Sequence, residues 1–344
     1  MSGAPMSGVP MCVYPNVRYG MYAGFMVYLT VLLVRIMRYK DFLALRDWSA
    51  DDLLNVLYLA RSVKADPEKY SHRLGGKALA VIMEKSSLRT RVSFDVGIRQ
   101  LGGYTIDLSS QEIKIGDREP ARDAAKTLAR MVDGIVIRTF GHDRVVELAR
   151  HSSVPVINGL SDFAHPCQAM ADYLTILETK GDDFKRIKIA YIGDGNNVAN
   201  SLICGAARFG AHLAIATPAG TEYEPCPEIT RQAIKDVAET GGKIEILRNP
   251  SEAAADADVL YTDVWASMGQ EDQSENRRRV FAGYQINDEI TRLAKPDYIF
   301  MHCLPAHRGE EVAESVIDSE HSVVFQQAEN RIHAQKAVLL TLMS

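Results

Sequence analysis

The chain has 344 residues, 47% apolar and 24% charged, with 39 basic against 44 acidic residues and a formal net charge of −5. That is a globular composition, long enough for two domains with separate cores. The acidic balance excludes a domain-wide electrostatic footprint for nucleic acid and leaves room only for a local basic pocket. Cys12, Cys167, Cys204, Cys226 and Cys303 are odd in number and widely spaced, with no C-x-x-C pair. They argue against a disulfide framework and a zinc site and for a reducing, cytoplasmic setting.

Residues 1–36 read as an N-terminal extension rich in Gly, Pro, Met and Tyr, ahead of an expected start at Met37. The uncharged run from Tyr19 to Val34 is 16 residues, shorter than the ~20 that span a bilayer. No small-residue cleavage site of the secretory kind is visible, so no membrane association is expected. Ser49, with Asp52 three residues on, predicts a capped helix start, and Leu53, Leu57 and Ala60 continue at helical spacing.

An apolar run at 78–83 predicts a buried strand. The pattern then alternates: helix 89–101, strand 104–108, helix 121–131, strand 134–137, helix 144–149, strand 154–157 and helix 166–178. After the break at Gly181-Asp182-Asp183 it restarts: strand 188–192, helix 198–209, strand 213–216, helix 227–240, strand 243–246, helix 251–255 and strand 259–261. A last strand at 298–301 and a helix at 329–342 complete the chain. Such alternation predicts an α/β protein of two tandem open parallel sheets with helices on both faces. The expected division is 37–180, completed by the terminal helix 329–344, and 181–328. Ligands of such sheets bind beyond the carboxyl ends of the strands, and the chemically informative residues fall there.

Ser87-Leu88-Arg89-Thr90-Arg91 follows the first strand and opens a helix. Free N–H groups, hydroxyls and a guanidinium fork make an anion site there; alone, the segment could equally be a capped helix with solvated arginines. Arg138 ends the strand at 134–137. His165-Pro166-Cys167-Gln168 places a His and a Gln three apart at a helix start, where they can face one point. Taken alone, a structural His with Pro at N1 is the simpler reading.

Gly193-Asp194-Gly195-Asn196-Asn197 suggests a dinucleotide turn. But Val198 stands where the third Gly belongs, and Ala216-Thr217-Pro218 offers no ribose-binding acid. Asp263-Val264-Trp265-Ala266-Ser267-Met268-Gly269 and His302-Cys303-Leu304-Pro305 follow later strands. Glu329-Asn330-Arg331 opens the expected terminal helix.

Taken in order over about residues 37–344, these segments resemble the aspartate/ornithine carbamoyltransferase family. Ser87-x-Arg89-Thr90-Arg91 and His165-Pro166-x-Gln168 are similar to segments shared by the whole family. Asp263…Ser267-Met268-Gly269 and His302-Cys303-Leu304-Pro305 resemble the ornithine branch. The resemblance implies transfer of a carbamoyl group from carbamoyl phosphate to the side-chain amine of L-ornithine, without cofactor, metal or covalent intermediate. It implies that Ser87, Leu88, Arg89 and Thr90 hold the phosphate, with Leu88 standing where relatives often carry Thr.

It further implies that Arg138 and His165 serve the carbonyl oxygen and Gln168 the carbamoyl nitrogen, with Arg331, Cys303 and Leu304 also at the carbamoyl end. Asn197, Asp263, Ser267 and the Met268 backbone would hold ornithine, with Cys303 beside the reacting amine. The resemblance also implies a homotrimer or a multiple of trimers, with Lys114 or Arg118, in the stretch 111–119, reaching a neighbouring subunit's site. The polar segment from Ser267 to Arg279 is expected to form a lid. Rival readings are another carbamoyl transferase, a binding relative without activity, and a nucleotide-dependent dehydrogenase.

Overall fold

Nine parallel strands carry the described part of the chain, and their order explains why so many informative residues share one edge. The computed structural model describes residues 39–109, 115, 119–267, 269 and 271–344. Lys114, Arg118 and Met268 lie outside the described residues, as do 1–38. Residues 39–344 make one compact unit.

The first half runs α1 (Ala50–Ala65), β1 (Ala78–Met83), α2 (Leu88–Gln100), β2 (Tyr104–Ser109), α3 (Ala121–Leu128), β3 (Gly134–Arg138), α4 (His142–His151), β4 (Val156–Leu160) and α5 (Pro166–Lys180). The second runs β5 (Lys188–Ile192), α6 (Asn197–Phe209), β6 (His212–Ala216), α7 (Pro227–Thr240), β7 (Lys243–Leu247), α8 (Pro250–Ala254) and β8 (Val259–Thr262). It continues with α9 (Ser274–Phe281), α10 (Asp288–Thr291), β9 (Ile299–His302), α11 (Glu314–Ile317) and α12 (Val324–Met343). The sheets have strand orders β2-β1-β3-β4 and β7-β6-β5-β8-β9, all parallel.

Helices cover both faces of each sheet, so the inner strands are apolar throughout: Leu79, Ala80, Val81 and Ile82 of β1 and Ile135, Val136 and Ile137 of β3 are buried. Helix α5 is buried around its whole circumference over residues 166–177, as befits a helix inside the molecule rather than on its surface. Helix α12 packs against α1, α2 and α5, so the end of the chain returns to the first sheet. Three helix starts are capped as their residues dictate: Ser49, Ser87 and Asn196 accept from backbone N–H groups of the first turns of α1, α2 and α6.

Some bounds differ from the sequence reading. Strand β4 runs on through Asn158, Gly159 and Leu160, whose polar look predicts a loop. Asn158 is buried because its Nδ2 donates to the Leu43 carbonyl at 3.0 Å. Helix α12 begins at Val324, five residues before the expected start at Glu329, so Arg331 sits about two turns into it rather than at its opening. Phe325, 73% exposed, interrupts the apolar periodicity there. Part of the segment expected as a lid is helix α9, held by the ion pair of Arg277 with Asp194 at 2.5 Å.

Candidate active site

Strand register brings the catalytic candidates together. Met83 of β1 stands beside Arg138 of β3, so the loop after β1 and the end of β3 open at one level. Thr262 of β8 stands beside His302 of β9, which puts Asp263 next to Cys303. Between the two edges lies a cavity of about 500 Å³.

Its first wall is Lys85 to Arg89, Arg138, His165, Gln168 and Arg331; its second is Asn197, Asp263 to Ser267, and Cys303 to Pro305. Thus Ser87, Leu88, Arg89, Arg138, His165, Gln168, Arg331, Asn197, Asp263, Ser267, Cys303 and Leu304 all converge on it. Thr90 lies just behind the wall, wholly buried, with its Oγ1 taking weak donations at 3.4 Å from both Arg138 and Arg331. Ser87 serves first as the α2 N-cap, accepting from Thr90 N at 3.2 Å, while the Leu88 side chain is 75% exposed.

The first wall is a crowd of cations. Burial, then Arg331 and Arg89, bring the Arg138 guanidinium down to about 10. Burial and the same arginines, with Arg138 itself, hold His165 well below the usual imidazole value, so His165 is neutral at physiological pH. Arg138 Nε, Arg331 Nε and His165 Nδ1 are buried without a hydrogen-bond partner among the described residues. Such atoms are uncommon unless a ligand or water satisfies them. Arg331 Nη1 donates to Gln168 Oε1 at 2.7 Å, and the His165 backbone N–H donates to Ser201 Oγ at 2.8 Å.

The second wall is built round one carboxylate. Asp263 accepts from Asn196 Nδ2 at 2.8 Å, from its neighbour's Val264 N at 2.8 Å and from Cys303 Sγ at 2.9 Å. Burial, and next the Asp263 charge, push the Cys303 thiol well above its ordinary range, so it is a protonated donor rather than a nucleophilic thiolate. The turn bearing Cys303 is fixed from behind. His302 Nδ1 accepts from Leu304 N at 2.8 Å while its Nε2 faces the wholly buried Glu311 at 3.2 Å. Asn197 Nδ2 donates to the Ser161 carbonyl at 2.6 Å, tying the second wall to the first.

Sequence reasoning passed over Lys85, His307 and Glu310 and gave no site role to Trp265 or Arg278, all of which also line the cavity. Lys85 could have been found, since it too follows β1; it pairs with Asp162 at 2.9 Å. The Arg278–Glu310 pair at 2.8 Å joins residues far apart in sequence and leaves no local signal. The glycine turn after β5 has its own structural reason. A side chain at Gly195 would collide with the backbone of Glu224 and Pro225, so the residue must be small whatever binds nearby.

Comparison with known proteins agrees with this geometry. Residues 40–178 match the family model for the aspartate/ornithine carbamoyltransferase carbamoyl-P binding domain, and residues 185–342 match the model for its Asp/Orn binding domain. The chain is 54% identical over 306 residues to an ornithine carbamoyltransferase of Thermococcus kodakarensis, covering 88% of this chain and 96% of that one. It is 50% identical over 306 residues to an anabolic ornithine carbamoyltransferase of Pyrococcus furiosus, with the same coverage. The solved ornithine carbamoyltransferase structure from Pyrococcus furiosus superposes with a TM-score of 0.85 at 50% identity, covering 88% of this chain and 97% of that chain. With both halves matched in order, and an arginine-rich sheet edge facing an aspartate-bearing one, the chain belongs to the aspartate/ornithine carbamoyltransferase family.

Proposed function

We propose that the chain transfers the carbamoyl group of carbamoyl phosphate to the side-chain amine of L-ornithine, giving L-citrulline and phosphate in arginine biosynthesis. The observation that carries this reading is the pairing of the two walls. Arg89, Arg138 and Arg331 face Asp263 and Cys303 across one cavity. A doubly anionic acyl phosphate suits the first wall and an amino acid's ammonium group the second. The relative named as anabolic supports the biosynthetic direction.

Each residue then has a task. The N-terminus of α2, Ser87, the Leu88 backbone, Arg89 and Thr90 hold the phosphate. Arg138 and neutral His165 take the charge that builds on the carbonyl oxygen as the amine attacks. Gln168 and Arg331 hold the carbamoyl end, with Cys303 and Leu304 closing it. Asn197, Asp263, Ser267 and Met268 bind ornithine, Asp263 through the α-ammonium.

A free alkylamine has a pKa near ~10 and is protonated at neutral pH. The pocket must therefore favour the neutral form, and Cys303, a donor to Asp263, orients it. The C–N bond forms, the single bond from the carbonyl carbon to the bridging phosphate oxygen breaks, and the leaving phosphate takes the electron pair and accepts the amine proton.

The division into 37–180 with 329–344, against 181–328, follows the two sheets. With one substrate on each, catalysis requires the sheets to close on the cavity. The chain works as a homotrimer or a multiple of trimers, with Lys114 completing a neighbouring subunit's phosphate site. Edge strand β2, with Tyr104 47% and Ile106 38% exposed, supports an assembly that covers it. Free Cys167, Cys204, Cys226 and Cys303 support a reducing cytoplasm. Among the described residues no helix is long and apolar enough to cross a membrane. The test is an assay of carbamoyl phosphate against ornithine, putrescine, acetylornithine and aspartate. Citrulline from ornithine, with the other three amines poor, is expected; none from folded protein would overturn the reading.

A further inference from the structure

Asp172 is wholly buried on α5, one turn beyond Gln168, and has no place in the scheme above. Its Oδ1 accepts from Gln168 Nε2 at 2.8 Å and from Gln327 Nε2 at 2.7 Å, and its Oδ2 from the Tyr261 hydroxyl at 3.2 Å. Those three donors come from α5, α12 and β8, so one carboxyl joins two helices packed together to a strand of the second sheet. Burial, opposed by these donors, raises it to about 7.

An amide has a donor end and an acceptor end, so a bond to its nitrogen decides where its oxygen points. For Gln168 the oxygen is turned to Arg331 Nη1 at 2.7 Å, on the cavity wall. For Gln327 the oxygen accepts from His302 N at 2.9 Å, one residue before Cys303. Were Gln168 reversed, its NH₂ would face a guanidinium, donor against donor, and no oxygen would remain for a carbamoyl N–H.

We infer that Asp172 is a positioning residue whose Oδ1 fixes the amide of Gln168 for carbamoyl phosphate and, through Gln327, the His302–Cys303 backbone for ornithine. The inference rests on the proposed carbamoyl transfer. A packing role alone would change the amount of folded protein and leave the KM of the folded fraction unmoved.

The test is steady-state kinetics of the full chain, scaled to folded protein by circular dichroism. Citrulline formation by the wild type is the first arm. Its absence overturns the functional reading and this inference with it, whereas the other arms bear on Asp172 alone. Asp172→Leu, which offers no acceptor, should raise the carbamoyl phosphate KM on the order of 10–100-fold, the weight of one or two lost buried hydrogen bonds. Asp172→Asn can keep an oxygen at the Oδ1 position and turn its NH₂ to the Tyr261 hydroxyl, so its KM should stay within a few-fold of wild type.

In a double-mutant cycle, Asp172→Leu added to Gln168→Ala should raise that KM no further. Should the leucine variant not fold, Asp172→Ala replaces it in the same cycle. Additive effects in the cycle, an unchanged KM in the apolar variant, or an asparagine variant as impaired as the apolar one would each overturn the assignment.

Discussion

The two walls of the cavity share a construction and differ in charge. Each is a set of loops at the carboxyl edge of a parallel sheet leading into a capped helix, α2 behind Ser87 and α6 behind Asn196. The first wall gathers Arg89, Arg138 and Arg331 and, among the described residues, no carboxylate; the second centres on Asp263 among neutral donors. Burial lowers the bases of the first wall and raises the thiol of the second, and the like charges beside each group add to its shift. Across a few residues of space Arg138 and His165 go down and Cys303 goes up. One architecture thus presents a cationic or an aspartate-centred face, the proposed phosphate cradle and amino-acid seat, according to the few side chains placed at the strand ends.

That contrast can be broken first at its strongest point. Arg138→Leu removes a cation proposed to meet the developing oxyanion and should lower kcat by ~100–1,000-fold, read from initial rates at saturating substrates; a loss confined to KM would move Arg138 out of the transition state. Next, Asp263→Ala should raise the ornithine KM by ~10–100-fold, the weight of a lost charge-assisted hydrogen bond. The carbamoyl phosphate KM should change little; equal changes in both would dissolve the division of labour.

The third prediction concerns the groups between the walls. Asp172 titrates at about 7 in the folded chain against ~3.9 unfolded, a raised value. Its contribution is therefore fully present below pH ~4 and is lost as pH rises through about 7. Asp172→Asn lacks that loss, so denaturant unfolding should show the variant gaining on the wild type between pH 4 and 7, with no further gain above. A stability difference constant across that range would contradict the burial argument. The smallest effect is expected from Leu88→Thr, which offers one more hydroxyl to the phosphate and should lower the carbamoyl phosphate KM by no more than about tenfold.

Most of the first wall was legible because parallel strands announce themselves as apolar runs and the residues directly after them are the ones a ligand meets. Arg138 and the Ser87–Thr90 loop were found on that rule, and Asp263 and Cys303 likewise. What the sequence hid was structure made at a distance. The Asp194–Arg277 pair, which folds a polar stretch into helix α9, joins residues 83 positions apart. Asn158 reads as loop until its carbonyl partner at Leu43 is known. Asp172 was within reach of helical spacing from Gln168, but nothing local says that Gln327 and Tyr261 meet it. The glycine turn after β5 carries an ambiguous local signal for a related reason: close approach of another backbone and of a cofactor demand the same small residue.

The most direct measurement is calorimetric titration of carbamoyl phosphate, without ornithine, into Arg89→Ala and Asp263→Ala. Two chemically distinct walls require that the first variant lose binding by at least about tenfold while the second binds as the wild type does. Equal loss in both, or loss in Asp263→Ala alone, would contradict the account.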